Sequence, residues 1–332
     1  MTDLDGTTNK SRLGGNSIVG VSLAVARAAA AACNLPLYRY LNSGSHVLPV
    51  PQASLINGGV HAGNDLDIQE FCVMPVGAKS FAQAVRILSE IFMALKDLLQ
   101  EKLGKVATNS SEDGGFAPPI SSSAQAMELL SEGVARAGYT EKIVYGLDFA
   151  STGFYNPKSD VYRFEGKNRT RAEMISFIKN LLTEFPAIAS IEDPLHEDDL
   201  EGMRILTEKL SDRLIIGDDT FATNISRLRK GIAHGAANAM LCKVNQIGTV
   251  TEAMDAAHFA MRHQYPVVMS VRSGETEDAI LSDISVALNA GLFKTGGIRG
   301  ADRGANYNRF IEIETELGQA AVYAGSDFTR LG

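Results

Sequence analysis

The sequence has no excess of basic residues: 31 Lys and Arg stand against 39 Asp and Glu, a net charge of −8 at pH 7. A nucleic-acid partner calls for a basic face, so none is expected. Cysteine is scarce. Cys33, Cys72 and Cys242 lie in apolar contexts with no paired spacing, which excludes a disulfide framework and fits reduced, buried thiols in a cytoplasmic protein. No secretory signal is visible. The most apolar stretch, Ile18 to Cys33, is Ala-rich, is interrupted by Ser22 and Arg27, and is followed by Asn34 and Pro36. It reads as a buried helix, too short and broken to cross a bilayer, so no membrane partner is expected. There is no low-complexity segment and no flexible linker between domains.

What the chain does have is a regular alternation. In the second half, five apolar runs each close on a charged residue: AIASIED on Glu192, RLIIGDD on Asp218, NAMLCKVN on Lys243, PVVMSVRS on Arg272 and GLFKTGG on Lys294. The intervals are roughly 22 to 29 residues, the length filled by one strand, one helix and two short loops. Helices are expected at about 80–103, 122–138, 171–185 (opened by a capping box at Thr170 and Glu173), 199–210, 224–234, 249–263, 277–290 and 305–318. Strands alternating with helices imply an α/β fold with a mostly parallel sheet. A doubly wound sheet is the rival, but it gathers ligands at one switch point. Charged ends on every unit favour a closed (β/α) barrel whose strand ends share one mouth. The 332 residues suffice for one such barrel of about 250 residues with an addition.

Asp148, at the end of IVYGLD, joins Glu192 and Asp218 as three carboxylates at three strand ends. Crowded into one mouth they repel unless a cation sits between them. Oxygen-only ligation, with no Cys or His nearby, suggests Mg²⁺ before Zn²⁺. Lys243 follows so apolar a run that its ammonium must face the mouth, with Lys294 two units on. Two lysines near a cation are expected to depress each other's pKa and leave a neutral general base, suited to taking a proton from carbon beside a carboxylate. Arg272 and Ser273 are placed to grip a phosphate.

These residues sit in words that together carry a resemblance: LDGTTNKS (4–11), GVSLAVARAAA (20–30), INGGVHAGN (56–64), IQEF (68–71), MPVGAKSF (74–81), DGGFAP (113–118), GLDFAS (146–151), SIEDP (190–194), KVNQIGT (243–249), RSGETED (272–278) and FKTG (293–296). The chain resembles the enolase family over nearly its whole length. The resemblance implies an enolase-type (β/α)8 barrel over 47–332 whose second strand runs antiparallel, preceded by a helical lead-in over 1–46, a remnant of the family's N-terminal domain. It implies a Mg²⁺-dependent lyase that dehydrates 2-phosphoglycerate, a small phosphorylated hydroxy acid, and a homodimer. Asp148, Glu192 and Asp218 would hold Mg²⁺. Lys243 would take the C2 proton, Lys294 bind the substrate carboxylate, and Arg272 and Ser273 the phosphate. Gln69, Glu70 and Asp113 would serve departure of the C3 hydroxyl, and His61 would lie on a closing loop.

The chain departs from the family pattern at defined places. Asp113 stands where the family has Glu, and Val271 where it has a histidine. Thr152-Gly153-Phe154 replaces an acidic SEF, and Arg299-Gly300-Ala301 replaces a Ser- and Arg-containing loop. LDGT, well inside the family chain, begins here at Leu4, and the family segment before it carries a serine that helps hold a second Mg²⁺. One Mg²⁺ site is therefore expected. The changes fall on the hydroxyl-expulsion side. Two other functions stay open on these residues: altered chemistry on a related phosphate or phosphonate acid, and a catalytically silent binding protein of the same shape.

Overall fold

Eight strands close into a barrel in chain order in the computed structural model, which describes residues 1–329. They are β1 (Val50–Asn57), β2 (Glu70–Met74), β3 (Val144–Asp148), β4 (Ile188–Glu192), β5 (Leu214–Gly217), β6 (Ala239–Cys242), β7 (Val267–Ser270) and β8 (Leu292–Gly296). β2 runs antiparallel to both β1 and β3, and every other barrel pairing is parallel. The expected barrel with a reversed second strand is therefore present.

Period-two alternation along the strands divides each into an inner and an outer face. Val50, Met74, Leu214, Ile216, Leu241, Val268 and Leu292 form an apolar plug, while Phe71, Val73, Ile191, Ile215, Met240 and Phe293 pack with the surrounding helices. The same period lifts the functional side chains onto the plug. Asp218 lies two residues beyond Ile216, Lys243 two beyond Leu241, and Lys294 two beyond Leu292. Between plug and charges, Gly146 of β3 leaves room for its neighbours: a Cβ there would stand 2.6 Å from Ser190 Oγ and 2.8 Å from Gln52 Nε2.

The helices begin where side-chain caps supply the missing acceptors. Ser80 caps Phe81–Leu103, Ser122 caps Ser123–Arg136, Asp199 caps Leu200–Lys209, Asn224 caps Ile225–His234 and Thr249 caps Val250–Arg262. The Thr170–Glu173 capping box opens Arg171–Glu184 as expected. Two boundaries differ. The helix expected at 277–290 is Ile280–Ala287, because Asp278 accepts from the Ile280 N–H and holds the preceding residues in turns. The helix expected from 305 starts at Ala301, released by Gly300 at φ 104°.

Three expectations are corrected. Helix Gly15–Ala32 is not a buried helix: only Ile18 and Ala30 are buried, and Val21 and Val25 are exposed. Its 18 residues reach the length and apolarity of a membrane span, so "too short" does not hold for it. It packs on one side only, where Ser22 Oγ accepts from the Val250 N–H and Arg27 pairs with Asp278. Cys33, at its C-terminal end, is exposed, while Cys72 and Cys242 are buried. Between β3 and β4 the chain also makes a small antiparallel sheet of Tyr155–Asn156, Val161–Phe164 and Lys167–Arg169.

Candidate active site

The expected residues converge. His61, Gln69, Glu70, Asp113, Lys243, Arg272, Ser273 and Lys294 line one pocket at the C-terminal mouth of the barrel, together with Ser270, Val271 and Gly296. Asp148, Glu192 and Asp218 are not in that lining and adjoin it through the two lysines. The Lys294 ammonium donates to Asp148 Oδ2 at 2.6 Å and to both Glu192 oxygens at 2.8 and 2.9 Å, with Glu70 3.6 Å away. Lys294 lies inside β8, not at its end, which is why it is buried. Glu192 is wholly buried, and Asp148, Glu70 and Asp218 nearly so. Asp218 pairs with Lys243 and accepts from Gln246 Nε2 at 2.9 Å.

These carboxylates are built around positive charge. Burial pushes Glu192 well above the usual carboxylate range, with Asp148 adding to the rise and Lys294 opposing it. Burial also pushes Glu70 up to about 7, against the pull of Lys294. An all-oxygen set of buried acids that already shares an ammonium fits a hard divalent cation. The expected depression of the two lysines is one for a cation-loaded mouth; the protein's own carboxylates act against it. Burial and Lys294 pull Lys243 down, but Asp218 and Glu192 outweigh them and its pKa rises. Lys294 likewise sits well above the ordinary lysine value, because Asp148, Glu192 and Glu70 overcome its burial. Carboxylates in hydrogen-bond contact with an ammonium outweigh the second lysine.

The hydroxyl-expulsion side is arranged around Asp113. It is buried and takes a 2.8 Å hydrogen bond with His61 Nδ1, and this bond raises the imidazole pKa against the effect of burial. Glu112, its neighbour, is exposed. Val271 lines the pocket and adds no polar atom. Gln69 donates to Asp148 Oδ2 at 3.3 Å. Arg272 is exposed at the rim, and Ser273 is half-buried.

Sequence reasoning passed over three residues. Gln246 orients Asp218. Asp193 accepts from the backbone N–H groups of Asp218 and Asp219 and from Thr220 Oγ1, at 3.1, 2.7 and 2.9 Å. Its oxygens lie within 4.8 Å of those of Asp218 and Asp219, but they are already engaged as anchors of that loop. Arg303 is buried and donates to the carbonyls of Arg272 and Ser273. Asp193 closes SIED and Gln246 follows KVN, so both were open to a reader of those words; Arg303 lies just before the helix expected from 305.

A pH dependence follows. Glu70 at about 7 and Asp193 at about 8 hold protons in the folded state that the unfolded chain releases near its ordinary carboxylate pKa. A raised folded pKa stabilises below the unfolded value, and that contribution is lost as pH rises through about 7 to 8. In chelator, the urea midpoint is expected to fall between pH 6 and about pH 9. A midpoint that rises over that window contradicts the assignment.

Known proteins are similar to this chain over nearly its whole length. Residues 45–331 match the family model described as "Enolase, C-terminal TIM barrel domain" and residues 1–41 the model "Enolase, N-terminal domain". The chain is 55% identical over 329 residues to "Enolase" of Methanocaldococcus jannaschii, covering 99% of this chain and 77% of that one. It is 52% identical over 332 residues to "Enolase" of Thermococcus gammatolerans, with the same two shares. It is 51% identical over 335 residues to "Enolase" of Pyrococcus furiosus, covering 100% and 78%. A family model that spans residues 45–331, together with relatives more than half identical over nearly the whole chain, shows the assignment: the chain belongs to the enolase family.

Proposed function

We propose that the chain is a phosphopyruvate hydratase, a carbon–oxygen lyase of glycolysis that dehydrates 2-phosphoglycerate to phosphoenolpyruvate. The observation that carries the reading is the convergence of Lys243, Lys294, Arg272, Glu70 and Asp113 on one small pocket, with Asp148, Glu192 and Asp218 paired to its two lysines. Lys243 takes the proton from C2. Lys294 meets the substrate carboxylate as negative charge builds on it. Arg272 and Ser273 hold the phosphate. The C3–O bond breaks at the opposite side, where Glu70, near its midpoint at neutral pH, has a proton to give. Asp113, backed by His61, and Gln69 line the same side.

Asp148, Glu192 and Asp218 are the residues that would hold Mg²⁺. Held there, the ion would supply positive charge against the enolising carboxylate, and Asp218 is the residue that would serve both it and Lys243. A lysine base paired with Mg²⁺ is the established pattern of this superfamily rather than an outcome of this geometry. One metal site in the barrel is part of the reading. So are a division into a lead-in over 1–46 and a barrel over 47–332, of which positions 330–332 lie outside the described residues, and a cytoplasmic homodimer. The net charge of −8 supports the absence of a nucleic-acid partner. No observation favours a related phosphonate substrate or a silent scaffold.

The test is linkage. Calorimetric Mg²⁺ titration is expected to give tighter binding with 2-phosphoglycerate present than without, since both meet at Lys294 and its carboxylates. Identical Mg²⁺ affinity in the two titrations contradicts a shared site.

A further inference from the structure

Arg303 heads the largest wholly buried side chains among the described residues and stands in the first turn of helix Ala301–Leu317. Its guanidinium reaches two separate loops. Nη1 donates to the carbonyl of Arg272 at 2.7 Å, and Nη2 donates to the carbonyls of Ser273 at 2.9 Å and Glu112 at 3.3 Å. One partner is a carboxylate, Asp302, 3.2 Å from Nε and partly exposed. Gly296 makes the space: it sits at φ 68°, and a Cβ on it would stand 3.1 Å from Arg303 Nε. The next residue, Gly297, donates its N–H to the carbonyl of Asp113 at 2.6 Å. The loop before Asp113 and the Arg272–Ser273 loop thus have no shared strand, yet one planar fork holds both. Lysine cannot reproduce that fork, because its ammonium has neither the planarity nor the spread of donors.

We propose that Arg303 is a positioning residue that couples the phosphate-gripping loop at Arg272–Ser273 to the loop carrying Asp113, so that the two ends of the substrate are set by one guanidinium. The inference rests on the reading that Arg272 and Ser273 receive the phosphate. A buried charge tied mainly to carbonyls also leaves its positive field unspent beside that loop.

The test reads phosphate binding apart from turnover. Arg303→Lys and Arg303→Ala are expected to weaken inorganic phosphate binding in calorimetry about tenfold or more, an order typical of losing charge-assisted bonds. For 2-phosphoglycerate, KM rises and kcat falls together, because both loops move. Millimolar guanidinium restores part of the phosphate affinity of Arg303→Ala, and methylammonium at equal ionic strength does not. In the unmodified protein, the Arg303 Nη–H resonances shift on phosphate titration, which needs no variant to fold. Wild-type phosphate affinity in either folded variant, equal rescue by methylammonium, or Nη–H resonances indifferent to phosphate overturns the proposal. If phosphate affinity responds as expected while the wild-type protein makes no phosphoenolpyruvate, the coupling stands and the proposed reaction fails.

Discussion

Lys243→Ala is expected to abolish exchange of the C2 proton of 2-phosphoglycerate with solvent deuterium, cutting it by about 10²–10⁴-fold, the range of a positioned general base. The side chain stands at the end of a wholly buried strand and is held at the mouth by Asp218. Asp218 is in turn held by Gln246, and the Lys243 N–H donates to Thr223 Oγ1. That scaffold survives the substitution, so substrate binding through Lys294, Arg272 and Ser273 should change little. The loss should therefore appear in kcat with KM nearly constant. Exchange and dehydration should fall together, because no second amine in the pocket is free: Lys294 is committed to Asp148 and Glu192. Exchange monitored by proton NMR checks this, and exchange at the wild-type rate in Lys243→Ala would remove the residue from the role.

Lys294→Met should have the largest effect on the fold itself. It removes the one ammonium shared by Asp148, Glu192 and Glu70. Taking one partner from a buried ion pair costs about 3–5 kcal/mol, because an uncompensated charge stays behind. The pH dependence identifies the cause. Glu192 and Glu70 are already raised by burial, and Lys294 is what opposes the rise. Without it their folded pKa values climb further above the unfolded ones. Folding then takes up protons, and the variant regains stability as pH falls from about 8 toward the ordinary carboxylate pKa. Urea unfolding in chelator at several pH values measures this. A deficit independent of pH would mean that lost packing, not stranded carboxylate charge, is responsible.

Much of this was legible before any coordinates. The barrel could be read because its strands are buried on both faces, so their apolar runs stop abruptly where a charged side chain reaches the mouth, as at Leu241, Cys242 and Lys243. Thr170 and Glu173 announced a helix start through a local bond that needs no tertiary partner. Failures came where the third dimension decides. The Ala-rich helix at 15–32 has no marked apolar face, so sequence could not say that one side would stay exposed. The Tyr155–Arg169 sheet has strands of two to four residues, too short for a period to show. The pull of the carboxylates on the two lysines depends on distances that sequence does not give. Arg303 was invisible because a buried arginine bound to carbonyls leaves no partner residue type to look for.

The most direct measurement mixes the purified chain with 2-phosphoglycerate and Mg²⁺ and follows the ultraviolet absorbance of phosphoenolpyruvate. The account predicts a steady rise that stops when chelator is added and that the Lys243→Ala protein does not produce. A wild-type trace indistinguishable from the Lys243→Ala trace would contradict it.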